Sequence, residues 1–397
     1  MSTEKYKKVA IIYHYISHYR VPIFNVLSRS DTNEYTIVSG TETDIKIKLA
    51  DEKLGNIKPE DGGLRWIKIQ NKWILKYFLW QRGLLQTISK SNFDSLIFLG
   101  NMYYLSTWVA AILGKLKGRK IIIWSHGFIR DEKGIKGFLR ALFYRLADEL
   151  LVYGHRAKDI LISKGFNAGK IKVVYNSLDY DNQLRIRKNN PVGKLVAFKN
   201  EGIPAFGFIG RLTKQKKLNI LIESLNLLHA RGQLCNLLII GDGDDLTELQ
   251  ALVNKYNLND YVYFYGPCYD ETTIYNLFKQ IQLIVSPGEV GLTGIHAMTY
   301  GMPVLTHNKL DMQMPEYECI KPGLTGDFFD YDNPVESLAD LLQVWLKKTN
   351  LDEIKEQCYQ VIDEHYNPYN QLLIMNSVVM QACAIFMPLA LIGIAFS

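Results

Sequence analysis

The sequence predicts an α/β protein made of two doubly wound, Rossmann-like domains facing one another across a cleft, and three observations carry that expectation. Short apolar runs alternate with helix-period stretches along both halves of the 397 residues, the pattern of parallel strands joined by helical crossovers. A polar, irregular stretch from Arg185 to Glu201 separates the halves. Hydrophobic residues make up 48% of the chain, enough for two cores and too many for a disordered segment.

In the first half the apolar runs at 9–13, 35–38, 95–99, 120–124 and 150–153 read as strands, with helical patterns at 22–28 and 108–116 between them. In the second half, strands at 206–209, 237–240, 261–265, 283–285 and 303–306 alternate with helices at 219–230, 245–256 and 271–280. The expected division is a first domain at 1–185, a linker at 186–204, a second domain at 205–365 and a tail at 366–397. Ligands of open α/β sheets bind beyond the carboxyl ends of the strands, so the candidate residues are sought in the loops there.

A formal net charge of +6 suits anionic substrates or an acidic membrane surface. Scattered basic residues with no DNA- or RNA-binding motif argue against a nucleic-acid partner. Cys235, Cys268, Cys319, Cys358 and Cys383 are odd in number and widely spaced, with no Cys-x-x-Cys pair, so neither a disulfide framework nor a zinc site is expected. The lysine-rich start leads into an apolar run too short for a signal-peptide core, so a cytoplasmic body is expected. From Tyr366 onward the chain carries no charge, and 377–397 is almost wholly apolar. Two readings of that tail stay open: a helix that crosses back onto the first domain, or a membrane segment.

Two basic, aromatic stretches follow. Trp73, Ile74, Tyr77, Phe78 and Trp80 interleave with Lys72, Lys76 and Arg82 and read as a helix; Phe138, Leu139, Leu142 and Phe143 interleave with Lys133, Lys136, Arg140 and Arg145 and read as a second. Each fits either an anionic membrane surface or an ordinary core-facing helix with a charged outer side.

The densest chemistry lies between Phe206 and Asn308. A strand ends in Gly210-Arg211-Leu212, with Lys216 five residues after Arg211 and a helix to follow. A guanidinium and an ammonium where a strand meets a helix start are what a diphosphate needs. Gly241-Asp242-Gly243 is no dinucleotide fingerprint, because Leu246 stands at the third glycine position; its glycines serve either close backbone approach to a nucleotide or a tight turn. Later come Pro287-Gly288-Glu289-Val290-Gly291, then His296-Ala297-Met298, then Gly301-Met302-Pro303-Val304. In the first half, Trp124-Ser125-His126-Gly127 sets His126 at a strand end. His14, His18, Tyr19 and Arg20 occupy the loop after the first strand, and Asn176 and Asp179 read as turn caps before the linker.

These motifs, in this order, resemble the donor-binding domain of glycosyltransferase family 4, retaining enzymes of GT-B fold. The family pattern is Gly-Arg-Leu with a following Lys, a Gly-x-Gly strand end, and a glutamate, seven residues, glutamate loop before Gly-x-Pro-Val. Aligning His296-Ala297-Met298 on the family's Glu-Ala-Met puts Gly288 at the first glutamate and His296 at the second, with Glu289 one residue out of register. A family subgroup with Pro-Gly-x-Val-Gly and a His in that place is similar.

The resemblance implies a retaining transferase moving a sugar from a nucleotide-diphosphate sugar, a substrate and not a cofactor, to a hydroxyl of a lipid-linked surface glycan. It implies donor binding by Gly210, Arg211, Lys216, Gly243, Gly288, Glu289, Gly291 and His296, and catalytic roles for His126, Arg211, Lys216 and Glu289. Arg211 and Lys216 supply fixed positive charge for the diphosphate, so no metal is expected. The expected place of work is the inner face of the cytoplasmic membrane. A nucleotide-sugar epimerase of the same fold and a non-catalytic membrane-associated sugar-binding protein are the alternatives, the second motivated by the missing glutamates.

Overall fold

Both halves build parallel sheets whose strand order reverses beside the first strand of each. The computed structural model describes residues 6–43, 47–130, 132–193, 196 and 198–381. The first domain runs β1 (Lys7–Tyr15), α1 (Val21–Ser28), β2 (Asn33–Gly40), β3 (Trp66–Lys68), β4 (Gln70–Ile74), β5 (Phe78–Arg82), α2 (Leu84–Lys90), β6 (Ser95–Leu99), α3 (Leu105–Leu116), β7 (Lys120–Ser125), α4 (Gly134–Tyr144), β8 (Glu149–Val152), α5 (His155–Ser163) and β9 (Ile171–Val173). Seven of these strands form one parallel sheet in the order β3-β2-β1-β6-β7-β8-β9.

Helix α6 (Tyr180–Asn189) leads to the second domain: β10 (Ala205–Ile209), α7 (Leu218–Ala230), β11 (Asn236–Ile240), α8 (Leu246–Lys255), β12 (Val262–Gly266), α9 (Glu271–Phe278), β13 (Ile284–Ser286), α10 (Leu292–Thr299), β14 (Val304–His307), β15 (Gly326–Phe329), α11 (Pro334–Trp345) and α12 (Leu351–Glu364). Its parallel sheet has the order β12-β11-β10-β13-β14-β15. This is the GT-B arrangement of two Rossmann-like domains.

Strand β1 shows why the apolar runs are continuous and not alternating. Val9 and Ile11 pack with Phe24 on one side of the sheet, while Ala10 and Ile12 pack with Phe98 and Phe143 on the other. Burial on both faces demands apolar residues at every position. Helix starts follow local chemistry as well: Pro22 and Pro334 open α1 and α11, where a missing N–H costs nothing.

Three expectations need correction or completion. The stretch around Trp73 is not a helix but the antiparallel hairpin β4–β5, with Ile74 opposite Phe78. Leu75 and Lys76 both take positive φ, 51° and 61°, and Tyr77 N–H closes the turn on Ile74 C=O at 3.2 Å. That is a type I′ geometry usually marked by Asn-Gly, and no glycine betrays it here. The linker does not begin irregularly, because α6 extends to Asn189 and buries Ile186 in the second domain's core; its polar composition hides the helix.

Last, the chain does cross back. Helix α13 (Pro368–Met380) sets Met375, Val378 and Val379 into the first domain's core beside Phe24. Asn376 Oδ1 accepts from Asn33 Nδ2 and Tyr35 Oη, each at 2.8 Å. The remainder of the apolar tail, 382–397, and with it the membrane-segment expectation, lies outside the described residues. Among the described residues no helix is long and apolar enough to cross a membrane.

Candidate functional site

Each sheet reverses its strand order beside its first strand, β1 against β6 and β10 against β13, and the loops beyond those carboxyl ends face each other. Such a reversal opens a crevice because neighbouring crossovers leave to opposite sides of the sheet. A cleft of about 730 Å³ lies there, lined from the first domain by Tyr13, His14, Arg20, His126 and Tyr153, and from the second by Glu289, Gly291, Gln313 and Glu316.

On the second domain's side, the loops after β10, β11 and β13 are interlocked. A Cβ on Gly288 would lie 2.1 Å from Gln215 O, and one on Gly243 2.3 Å from Leu212 O. Glycine is therefore required for the loop backbones to pack on one another, a reason internal to the protein. The packing seats Lys216, whose Nζ donates to Glu289 O at 2.7 Å. Burial lowers the pKa of Lys216; the Glu289 carboxylate opposes that shift and the Arg211 charge adds to it. Arg211 itself is exposed. Gly291, at φ 49°, turns the chain into α10 at the cleft. Arg211, Lys216, Glu289, Gly288 and Gly291 are thus brought together.

His296 is placed differently. Its Nε2 lies 3.0 Å from Glu271 Oε2, and it does not line the cleft. Tyr300 Oη donates to the same Glu271 oxygen at 2.6 Å. Burial alone would raise the Glu271 pKa, but His296 and Tyr300 outweigh it and hold the carboxyl at about 2.

On the first domain's side, His126 follows β7 into the cleft. Burial, with Arg20 adding, depresses its pKa to about 4, and His14 is pushed to about 3 for the same reasons. Both imidazoles are therefore neutral near pH 7. The Nδ1 atoms of His14 and His126 and Oε2 of Glu316 are buried with no protein hydrogen-bond partner. Orphaned polar atoms of this kind cost about 1–3 kcal/mol each unless something fills the site.

Between the domains runs a polar relay the sequence did not announce. Arg20, 4% exposed, donates to Asn176 Oδ1 at 2.8 Å and to the hydroxyls of Tyr13 and Tyr153, and its guanidinium lies 4.9 Å from the Trp124 ring centroid. Asn176 Nδ2 donates in turn to Glu316 Oε1 at 2.7 Å. Asn176 does hold its own turn through Ser177 N–H, but its larger part is this bridge. The one signal for Glu316 was its position in the loop after β14, at the same sheet edge as the other candidates.

By fold this chain is a GT-B protein. Residues 196–360 match the family described as Glycosyl transferases group 1. An uncharacterised 41.2 kDa protein of the cps region of Klebsiella pneumoniae is 24% identical over 309 residues, 75% of this chain and 80% of that one. An amylovoran biosynthesis glycosyltransferase of Erwinia amylovora is 26% identical over 238 residues, 59% of this chain and 64% of that one. Anabaena HepE in complex with UDP superposes with a TM-score of 0.67 at 15% identity, covering 94% of this chain and 99% of that one. Over 196–360 the chain is thus similar to the group 1 glycosyltransferases, a likeness that supports a transferase.

Proposed function

We propose that this chain is a retaining glycosyltransferase that takes a sugar from a nucleoside-diphosphate sugar and joins it to a hydroxyl of a lipid-linked surface glycan, working peripherally at an anionic membrane. One observation carries the reading: Lys216 is fixed on the Glu289 loop of one domain, and that loop lines a cleft whose far wall includes His126. Cations on one side suit a diphosphate, and the polar side chains lining the other suit sugar hydroxyls.

In this scheme the diphosphate lies against Arg211 and Lys216, with the sugar between Glu289 and His126. The bond from the anomeric carbon to the diphosphate oxygen breaks while a bond to the acceptor oxygen forms on the same face. The acceptor's proton passes to the departing phosphate oxygen. Arg211 and Lys216 stabilise the negative charge that develops there, so metal-independent transfer is part of the proposal. His126, neutral at working pH, holds a sugar hydroxyl without adding charge. Closure of the cleft keeps water from the donor.

Incubation of the purified protein with labelled nucleotide sugars, with and without a membrane lipid extract, tests this. Label moving into lipid supports the reading. An isomerised donor would point to the epimerase alternative, and binding without turnover to a non-catalytic sugar-binding protein.

A further inference from the structure

The charge of this chain is concentrated in one region. Residues 62–147 carry 15 Lys and Arg against 3 Asp and Glu, a surplus of +12 in a chain whose net charge is +6, so the remainder is at −6. That region contains the β4–β5 hairpin, α3 and α4, and each of these leaves large apolar side chains in solvent.

The three elements are neighbours. The crossovers after β6 and β7 advance in the same direction through the sheet, so α3 and α4 lie on one face of it, and the Trp108 and Phe143 rings meet between them at 5.0 Å. The hairpin packs against the start of α3, with Phe78 6.0 Å from Tyr103 and Leu79 N–H on Tyr103 C=O.

On this joined surface the hairpin tip exposes Leu75 by 77% and Tyr77 by 75%. Helix α3 presents Val109, Ile112 and Leu116 as a single stripe, and α4 presents Ile135, Phe138, Leu139 and Leu142 as another. Lys72, Lys76, Lys117 and Lys133 are exposed among them. Monomers seldom leave so much apolar surface open without a partner. The first two turns of α4 also line the cleft, through Lys136 and Arg140.

We propose that the hairpin tip and the outer stripes of α3 and α4 form one platform that docks on an anionic lipid bilayer, with the cleft mouth at its border. Apolar side chains enter the headgroup boundary while the lysines meet anionic lipid. The absence of Asp and Glu from the hairpin and both helices favours a negatively charged surface over a protein partner of mixed charge. A lipid-linked acceptor would then reach the cleft from the edge of α4 without leaving the membrane. The inference rests on the peripheral working proposed above and identifies the surface responsible.

The test is sedimentation of the full chain with vesicles of phosphatidylglycerol and phosphatidylcholine, against vesicles of phosphatidylcholine alone. Two variants are compared with the parent: Lys72→Glu with Lys76→Glu and Lys133→Glu, and Leu116→Ser with Ile135→Ser and Phe138→Ser. All six positions are exposed, so folding should survive, and nucleotide titration of each variant confirms it. The parent should prefer anionic vesicles, and each variant should lose about tenfold or more in binding to them. Equal binding to neutral vesicles, or variants that bind like the parent, would overturn the platform. So would self-association abolished by the serine variant in a parent that ignores lipid. A parent that docks on vesicles but binds no nucleotide would defeat the transferase reading and leave the platform standing.

Discussion

Arg20 of the first domain and Glu316 of the second share a single go-between: Asn176 accepts from Arg20 at 2.8 Å and donates to Glu316 at 2.7 Å. All three are buried, so the domains are tied through the floor of the cleft by side chains largely withdrawn from water. Asn176→Ala would take one hydrogen bond from each charged partner and should destabilise by about 3 kcal/mol. Glu316→Gln keeps the bridge's geometry and should cost less. Burial raises the Glu316 pKa above its ordinary 4.5, with the Asn176 bond opposing. A carboxyl that prefers its proton in the folded state contributes stability at low pH, and that contribution is lost as pH rises above 4.5 toward the folded value. Thermal melts across that range should show a decline in the parent that Glu316→Gln flattens. Identical pH profiles would remove Glu316 from the balance.

The relay also marks the limit of what the sequence could tell. Strands buried on both faces, such as β1 and β11, appear as unbroken apolar runs because every position must be apolar, so both sheets were legible. Lys216 and Glu289 were legible because strand-end loops are where ligands meet this kind of sheet. Asn176 and Glu316 were not, since 140 residues separate them and only the folded chain sets one against the other. The hairpin was misread because Leu75 and Lys76 take left-handed conformations without glycine, leaving an aromatic and basic pattern that passes equally for a helix face.

Arg211→Ala and Lys216→Ala should each weaken nucleoside-diphosphate binding by about tenfold or more, since a charge-assisted hydrogen bond contributes roughly 1.5–3 kcal/mol. The Lys216 change also removes the ammonium from Glu289 O, so it should be the more damaging to transfer. Calorimetric titration with a panel of nucleotides reads the first effect. Unchanged affinity in both variants would sink the assigned donor site.

Glu271 gives a second pH dependence, of opposite sign. Its carboxyl, held at about 2 by His296 and Tyr300, contributes stability that is fully present above its ordinary 4.5 and is lost as pH falls through 2. Glu271→Gln should therefore destabilise at pH 7 by about 1–3 kcal/mol, with the gap to the parent closing in acid. Because His296 leans on this carboxylate, the same variant should also alter donor affinity if His296 contacts the nucleotide. Melts and titrations that both match the parent would reduce the pair to packing.

Transfer should survive a chelator, because the cations proposed for the leaving diphosphate, Arg211 and Lys216, are part of the chain. Activity measured before and after excess EDTA is the check. Loss that magnesium or manganese restores would require a metal at the diphosphate.

Two truncations separate the halves of the apolar tail. Removing 382–397 leaves α13 whole, and folding and nucleotide binding should persist. Removing 377–397 also deletes Val378 and Val379, 0% and 2% exposed against the first domain, whose burial is worth about 3 kcal/mol or more together. It further strips Lys120 Nζ of its bonds to Val378 O at 2.6 Å and Gln381 O at 3.0 Å. The longer deletion should lower the melting temperature sharply while the shorter one does not. Equal melting temperatures for the two would mean that the end of α13 contributes nothing to holding the first domain together.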